Sequence, residues 1–207
     1  MGFPDSEVAE RAQAGSTDGG AENAAPIPVK LIVAGGFGVG KTTLVGAVSE
    51  INPLTTEEEM TVASEGVDDV SGVERKETTT VALDFGRITI SDEIVMYMFG
   101  APGQNRFWPL WNDLALGAVG AVVLVDTRKL QEAFASVDFF ERRGIPFVVA
   151  VNIFDDAYDY EAEEVREALV IPPEVPVVIC DARERGPCKD ALVTLVKHAI
   201  DRTPAEV

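Results

Sequence analysis

Residues 35–42 read Gly-Gly-Phe-Gly-Val-Gly-Lys-Thr, a full match to the phosphate-binding loop pattern G-x-x-x-x-G-K-[ST]. An apolar, β-branched run at 29–34 precedes the loop, and residues 43–48 continue with apolar residues at helical spacing. In this strand–loop–helix context, backbone N–H groups and the positive end of the helix converge on phosphate oxygens. The stretch therefore predicts an α/β fold that binds a nucleoside phosphate. The alternative is a Gly-rich turn with a chance lysine.

Position in the loop predicts the role of each residue. Lys41 should reach the β- and γ-phosphates, where it would also act in catalysis, and the Thr42 hydroxyl should hold Mg²⁺. The other expected nucleotide contacts come from the backbone of the loop and of the first helical turn: Gly35, Gly36, Phe37, Gly38, Val39, Gly40 and Thr43.

Composition limits the class of protein. The chain has 207 residues, of which 46% are hydrophobic, enough for one well-packed core. Its net charge of −18 argues against binding to nucleic acid or to an anionic membrane. Because we find neither a long apolar run nor a secretory leader, we expect a cytoplasmic protein with no membrane insertion, which a partner could recruit to a membrane. Two cysteines without metal-ligand spacing are interpreted as reduced thiols.

The chain divides into a tail and one domain. Residues 1–26 are rich in Ala, Gly, Ser and acidic residues, which predicts a disordered acidic N-terminal tail. Residues 27–203 alternate strand and helix patterns, apart from a polar stretch at 52–79 that is expected to be irregular. We predict a doubly wound, mostly parallel, six-stranded P-loop NTPase sheet with one antiparallel edge strand. Strands are expected at 29–34, 81–90 (bulged near Gly86), 94–99, 121–125, 146–151 and 175–180, and helices at 41–50, 130–143, 161–169 and 187–201.

The base is expected to bind where later strands end. After one strand, Asn152 and Asp155 form an Asn-x-x-Asp turn, which could place a carboxylate against guanine N1–H and N2–H₂. Adenine lacks the 2-amino group, so this contact would reject it. After the next strand come Asp181, Ala182 and Arg183, where the Ala182 N–H could meet guanine O6 and the Arg183 stem could cover the ring. Asn-x-x-Asp alone is typical of an ordinary turn, but together these segments indicate guanine.

Five motifs give the chain a resemblance to a known family: GGFGVGKTT, ETTTVALDFG, FGAPGQNRFW, VNIFDD and CDAR, between residues 35 and 183. It resembles Ras-like small GTPases, especially the bacterial MglA-type and the actinobacterial conservon-encoded forms. The resemblance implies a Ras-like G domain with GTP or GDP, Mg²⁺, slow hydrolysis and a switch role in bacterial signalling. It also implies two partners, a roadblock-type regulator and a sensor-kinase-like membrane protein.

The same resemblance assigns two switch segments. Thr80 stands where the family places a threonine that contacts Mg²⁺ and the γ-phosphate, although a threonine at a strand start is also ordinary strand chemistry. The Gly103 N–H would sense the γ-phosphate, and Gln104 would orient the attacking water. Arg75, just upstream of the threonines, or Arg106, two residues after Gln104, could supply catalytic positive charge.

Three departures from the family pattern bear on activity. Gly100 stands where relatives carry the Asp of the second switch, and Asp84 is a conceivable substitute, although four strand residues place it about 13 Å from Thr80. No Lys follows Asn152, so a residue that braces the base loop is missing. Phe37 replaces a usual Gly and could crowd Gln104.

Three classes of function fit these residues. A GTP-hydrolysing switch is favoured. A guanine-nucleotide-binding scaffold with negligible hydrolysis is the alternative that Phe37 and Gly100 suggest. An ATP-dependent kinase or transport ATPase would need an acidic residue ending the strand before Gly100, where Met98 and Phe99 stand instead.

Overall fold

The computed structural model describes residues 25–62, 77–103 and 108–202. Seven strands form one sheet: β1 Ile27–Ala34, β2 Leu54–Val62, β3 Glu77–Ser91, β4 Ile94–Gly100, β5 Ala118–Val125, β6 Phe147–Asn152 and β7 Val177–Cys180. Their order across the sheet is β2-β3-β4-β1-β5-β6-β7. The five strands from β4 to β7 in this order are parallel, whereas β3 is antiparallel to β4 and β2 is antiparallel to β3.

Helices cover both faces of the sheet. They are α1 Lys41–Val48, α2 Trp108–Ala115, α3 Phe134–Arg143, α4 Ala162–Leu169 and α5 Arg185–Arg202, with a 3₁₀ helix at Thr127–Glu132. One core cluster joins α1 and α5 to the sheet through residues such as Leu44 and Leu195. A second cluster joins α2, α3 and α4 to the opposite face through residues such as Trp111 and Phe140. Within the described ranges, no helix has the length and apolar character needed to cross a membrane.

The predicted fold class is confirmed: the chain is a doubly wound, mostly parallel P-loop NTPase sheet that contains the six expected strands. The stretch at 52–79 was expected to be irregular, and this is wrong for residues 54–62, which form β2, and for residues 77–79, which begin β3. The outer position therefore belongs to β2, and the antiparallel β3 lies inside it. The acidic residues at 57–59 made β2 hard to predict from the sequence, because glutamate has low strand propensity. An edge strand nevertheless tolerates charged side chains.

The bulge expected near Gly86 is also displaced. The register shift between β3 and β4 falls between Thr89 and Ser91. Gly86 serves packing instead, because a Cβ there would come within 2.7 Å of Val45 Cγ1 on α1. Residues 1–24 of the predicted tail, and residue 203, lie outside the described ranges.

Candidate nucleotide-binding site

The phosphate loop joins β1 to α1 through glycines in conformations that other residues rarely adopt. Gly35 and Gly40 have φ values of 136° and 103°, in the left-handed half of backbone space. A side chain on Gly35 would also collide with the carbonyl oxygen of Leu124 in β5. Helix α1 begins directly at Lys41, and its first turn has no acidic residue. The positive end of the helix is therefore available to an anion at the loop.

Lys41 folds back over the loop that precedes it. Its ammonium donates hydrogen bonds to the carbonyl oxygens of Gly35 at 3.0 Å and Gly36 at 2.6 Å. Burial lowers the pKa of Lys41 to about 8, and the negative charges of Asp84 and Glu132 offset only part of this effect. A cation held at this position can exchange the loop carbonyls for phosphate oxygens, as its predicted role requires.

Thr42 connects the loop to an acidic residue on β3. Its hydroxyl donates a 2.6 Å hydrogen bond to Asp84 Oδ2, and Asp84 is buried. Asp84 lies directly opposite Gly100 in the β3–β4 register. A Cβ on Gly100 would come within 2.9 Å of Asp84 Cβ and 3.0 Å of Asp84 Oδ2. The Asp84 carboxylate therefore occupies the space of the side chain that Gly100 lacks.

In the sequence, the distance of Asp84 from Thr80 counted against Asp84 as a substitute for the acidic residue missing at Gly100. The 13 Å estimate measured Asp84 against Thr80 along one strand, whereas the relevant neighbour of Asp84 is Thr42. An acidic residue does reach the end of β4, but it reaches it from the adjacent strand. The lack of an acidic residue on β4 itself therefore does not count against an ATPase.

Gly103 packs against the phosphate loop. A Cβ on Gly103 would come within 2.7 Å of the Gly36 carbonyl carbon and 2.8 Å of Lys41 Nζ, so only glycine fits. The preceding residue is anchored, because Trp111 Nε1 donates a 3.1 Å hydrogen bond to the carbonyl oxygen of Pro102. Trp111 is buried and packs edge-on against Phe139. The segment that follows β4 thus begins from a fixed point beside the phosphate loop.

Other predicted catalytic residues cannot be placed at the site. Gln104, Arg75 and Arg106 lie outside the described ranges. Thr80 belongs to β3, where its backbone is in register with Glu59 of β2. Phe37, at the tip of the loop, is 70% exposed. The catalytic roles of these residues and the Mg²⁺ contact of Thr80 stay predictions.

Asn152 ties the phosphate loop to the segment after β7. This buried side chain donates from Nδ2 to the carbonyl oxygen of Val39 at 2.9 Å, and its Oδ1 accepts the backbone N–H of Ala182 at 2.9 Å. A Cβ on Gly40 would come within 2.8 Å of Asn152 Nδ2, which is a second reason for glycine there. The Ala182 N–H, predicted to meet guanine O6, is therefore engaged by Asn152 in this structure.

Ion pairs also join the two segments that were predicted to bind the base, residues 152–155 and 181–183. The Arg183 guanidinium forms ion pairs with Asp155 at 3.2 Å and with Asp181 at 2.8 Å. Hydrogen bonds from Arg183 lower the pKa of Asp181. The Asp155 side chain is 83% exposed, so its carboxylate remains open to a ligand. Arg183 was expected to cover the base ring, and here it instead bridges the two carboxylates.

Arg128 braces the turn at 152–156, which lacks the lysine that was expected to brace it. It comes from the 3₁₀ helix, forms ion pairs with Asp126 at 2.8 Å and with Asp156, and stacks over the Phe154 ring at 3.9 Å. Hydrogen bonds from Arg128 lower the pKa of Asp126. The sequence contained only an Asp-x-Arg pattern after β5, which is typical of an ordinary helix cap.

The fold, the loop and the Lys41–Thr42–Asp84 arrangement together define a P-loop NTPase that binds a nucleotide. The family model described as a conserved hypothetical ATP binding protein matches residues 33–202, most of the chain, and the protein belongs to this family. No curated protein matches the chain.

This family assignment corrects the resemblance drawn from the sequence. The identification as an MglA-like Ras GTPase is wrong, because the matching family is a P-loop NTPase family distinct from the Ras-like GTPases. The strongest of the five motifs, the phosphate loop, follows from phosphate chemistry that all P-loop proteins share. Gly100 and the missing Lys after Asn152 were departures from the Ras pattern. The two partners implied by that resemblance stay untested predictions.

Proposed function

We propose that the protein is a guanine-nucleotide-binding P-loop NTPase that hydrolyses GTP slowly. The observation that carries this proposal is the exposed Asp155 carboxylate, which stands in the turn that begins at Asn152. Since Asn152 is hydrogen-bonded to Val39 of the phosphate loop, phosphate and base recognition belong to one connected site.

Base selectivity follows from the hydrogen-bonding groups of the ring. Guanine offers N1–H and N2–H₂, two donors that one carboxylate can accept together, and a charged acceptor makes such bonds stronger. Adenine offers an acceptor at N1, which would face the carboxylate unfavourably. The present Asp155–Arg183 ion pair would have to open, but an exposed pair of this kind contributes about 0–1 kcal/mol. Guanine can displace it at low cost.

ATP is the competing ligand, because the family is described as ATP-binding. The Asp84 geometry permits ATP hydrolysis as well as GTP hydrolysis, so the phosphate end does not discriminate between them. Discrimination lies at Asp155, and there the donor pattern favours guanine. A scaffold that binds guanine nucleotide without hydrolysis differs from our proposal only in turnover.

The residues around Thr42 fit Mg²⁺. A hydroxyl and a buried carboxylate supply the hard oxygen ligands that this ion prefers, and NTPase sites complete its shell with phosphate oxygens and water. The described residues contain no cluster of three or more His, Cys, Asp or Glu suited to another metal. Bound Mg²⁺ would neutralise developing charge on the phosphates. Lys41 would bind the same phosphates, and Gly103 N–H would orient the terminal one.

The test is the substitution Asp155→Asn, with GDP and xanthosine diphosphate as ligands. Loss of the charged two-point contact should weaken GDP binding by roughly 2–4 kcal/mol, about 30- to 900-fold. Xanthosine diphosphate should bind the variant better than the parent, because its second position is an acceptor that the new amide can serve.

Asp159→Asn is the matched control, since Asp159 is exposed and lies four residues further along the same loop. It should leave both affinities unchanged. Titration calorimetry measures them, and thermal melting checks the fold of each variant. Unchanged GDP affinity in Asp155→Asn would remove the guanine assignment.

A further inference from the structure

An apolar groove lies far from the nucleotide site, between α5 and the β3–β4 hairpin. It includes the first residues of several parallel strands, such as Val29 and Val119, whereas the phosphate loop follows the last residue of β1. The groove is therefore at the opposite end of the sheet. Its volume of about 870 Å³ is that of a substantial binding site.

The apolar lining of this groove is open to solvent. On the hairpin side Ile90 is 52% exposed, and on α5 Val193 and Ile200 are 48% and 65% exposed. The two α5 residues are seven positions apart, so they lie on one helix face. Adjacent exposed apolar side chains along a groove mark an interaction surface rather than scattered surface residues.

The charge of the groove differs from that of the whole protein. Its lining includes Lys189, Lys197 and Arg202 and no acidic residue, although the chain has 35 acidic residues and 17 basic ones. Over the ranges that the structure describes, none of these three cations forms an ion pair. A polyanionic protein thus presents unpaired positive charge around an apolar groove, which selects an acidic occupant.

The spacing of the cations distinguishes a peptide from a lipid. Lys189 and Arg202 are thirteen residues apart on α5, which corresponds to about 20 Å along the helix axis, and Lys197 lies between them. A fatty acid or phospholipid carries its negative charge at one end and would need clustered cations. Charges distributed along the groove match carboxylates distributed along a polypeptide.

We propose that this groove binds an acidic amphipathic helix of a partner protein. Three to four helical turns would span the 20 Å between the end cations. The partner's apolar residues at i, i+3, i+4 and i+7 would pack on Val193 and Ile200, as in other helix-in-groove complexes. Its flanking Glu or Asp residues would face the three cations. This proposal does not depend on which nucleotide the protein binds.

The test uses the full chain with GDP and a fluorescein-labelled, 14-residue designed helix that has Leu on one face and Glu on its flanks. A second peptide keeps the leucines and replaces every Glu by Lys. Fluorescence anisotropy should show saturable binding of the acidic peptide and at least about tenfold weaker binding of the basic one.

Two variants locate the binding. Val193→Glu and Lys197→Glu should each weaken binding of the acidic peptide by about tenfold or more, whereas Lys129→Glu, in the 3₁₀ helix beside the phosphate loop, should not. Retained GDP affinity in the groove variants shows that they fold. Equal binding of the two peptides, or binding that neither groove variant weakens, would overturn the proposal. So would binding to phosphatidylglycerol vesicles without binding to the acidic peptide.

Discussion

The Asp84–Gly100 pair permits a sharp test of the proposal that Asp84 would help to hold Mg²⁺ beside the nucleotide. Asp84→Asn keeps an acceptor oxygen for the Thr42 hydroxyl, which lies 2.6 Å from the carboxylate, and removes only the negative charge. Hydrogen bonds to charged groups contribute about 1.5–3 kcal/mol, and we expect the carboxylate charge to contribute at least as much to Mg²⁺ binding, so Mg²⁺ affinity in the GDP complex should fall about 10- to 150-fold or more. The assay is the Mg²⁺ dependence of fluorescent GDP dissociation.

The same pair offers a rescue experiment. Residues 84 and 100 are directly opposite across the β3–β4 ladder, so side chains at the two positions project to the same face. In the parent, Gly100→Ala should cost about 1–3 kcal/mol in the free energy of unfolding, because its Cβ would lie 2.9 Å from Asp84 Cβ. The swap Asp84→Gly with Gly100→Asp removes this clash and returns a carboxylate to the pocket.

We expect Asp84→Gly to lose tight Mg²⁺ binding and the swapped double variant to regain a large part of it. Asp92→Asn, in the exposed turn of the hairpin, is the control and should behave like the parent. An Asp84→Asn protein with the parent's Mg²⁺ affinity would refute the reasoning, since the carboxylate would then be only a hydrogen-bond partner of Thr42.

Three further predictions concern Lys41 in the phosphate loop, the positioning of the attacking water, and the turn at 152–156. Because burial lowers the pKa of Lys41 to about 8 and phosphate favours its charged form, GDP affinity should fall as pH rises through 8, approaching tenfold per pH unit. Calorimetry in two buffers of different ionisation enthalpy should show proton uptake on binding, and pH-independent affinity would contradict this. Phe37→Gly should change the rate of single-turnover phosphate release while GDP affinity stays within about tenfold, and Gln104→Leu should slow both the parent and that variant; a parent rate unaffected by Gln104→Leu would favour the non-hydrolysing scaffold. Arg128→Ala should weaken GDP binding about tenfold, because the turn at 152–156 would lose its contacts with Arg128. Arg142→Ala, which removes an exposed ion pair on α3, should leave GDP affinity unchanged. Equal GDP affinities of the two variants would show that Arg128 has no role in binding.

Local patterns were sufficient to predict much of the fold. Contiguous residues encode the phosphate loop, the strand and helix that flank it, and the strand and helix patterns that alternate after it. The P-loop class could therefore be predicted directly. Strand β2 could not, because its acidic residues oppose strand propensity and only pairing with β3 compensates for that. The motifs shared by all P-loop proteins also could not separate one family from another.

The site contacts that the sequence did not predict depend on strand register or join residues that are far apart in the chain. Asp84 reaches Thr42 because β3 and β4 pair in a particular register, which no sequence window contains. Arg128 reaches Phe154 and Asp156 across more than twenty intervening residues. The hydrogen bond between Asn152 and Ala182 joins two turns that were each predicted, but the sequence did not show that they would bind one another.

The most direct test of the account is a competition between nucleotides for the unmodified protein. Fluorescent GDP bound to the full chain in Mg²⁺ would be displaced by unlabelled GDP or ADP, and the two inhibition constants compared. If Asp155 reads the base, GDP should compete at least about 30-fold better than ADP, the lower bound set by the loss of one charged two-point contact. Equal competition, or preference for ADP, would contradict the guanine assignment and favour the adenine nucleotide named in the family description.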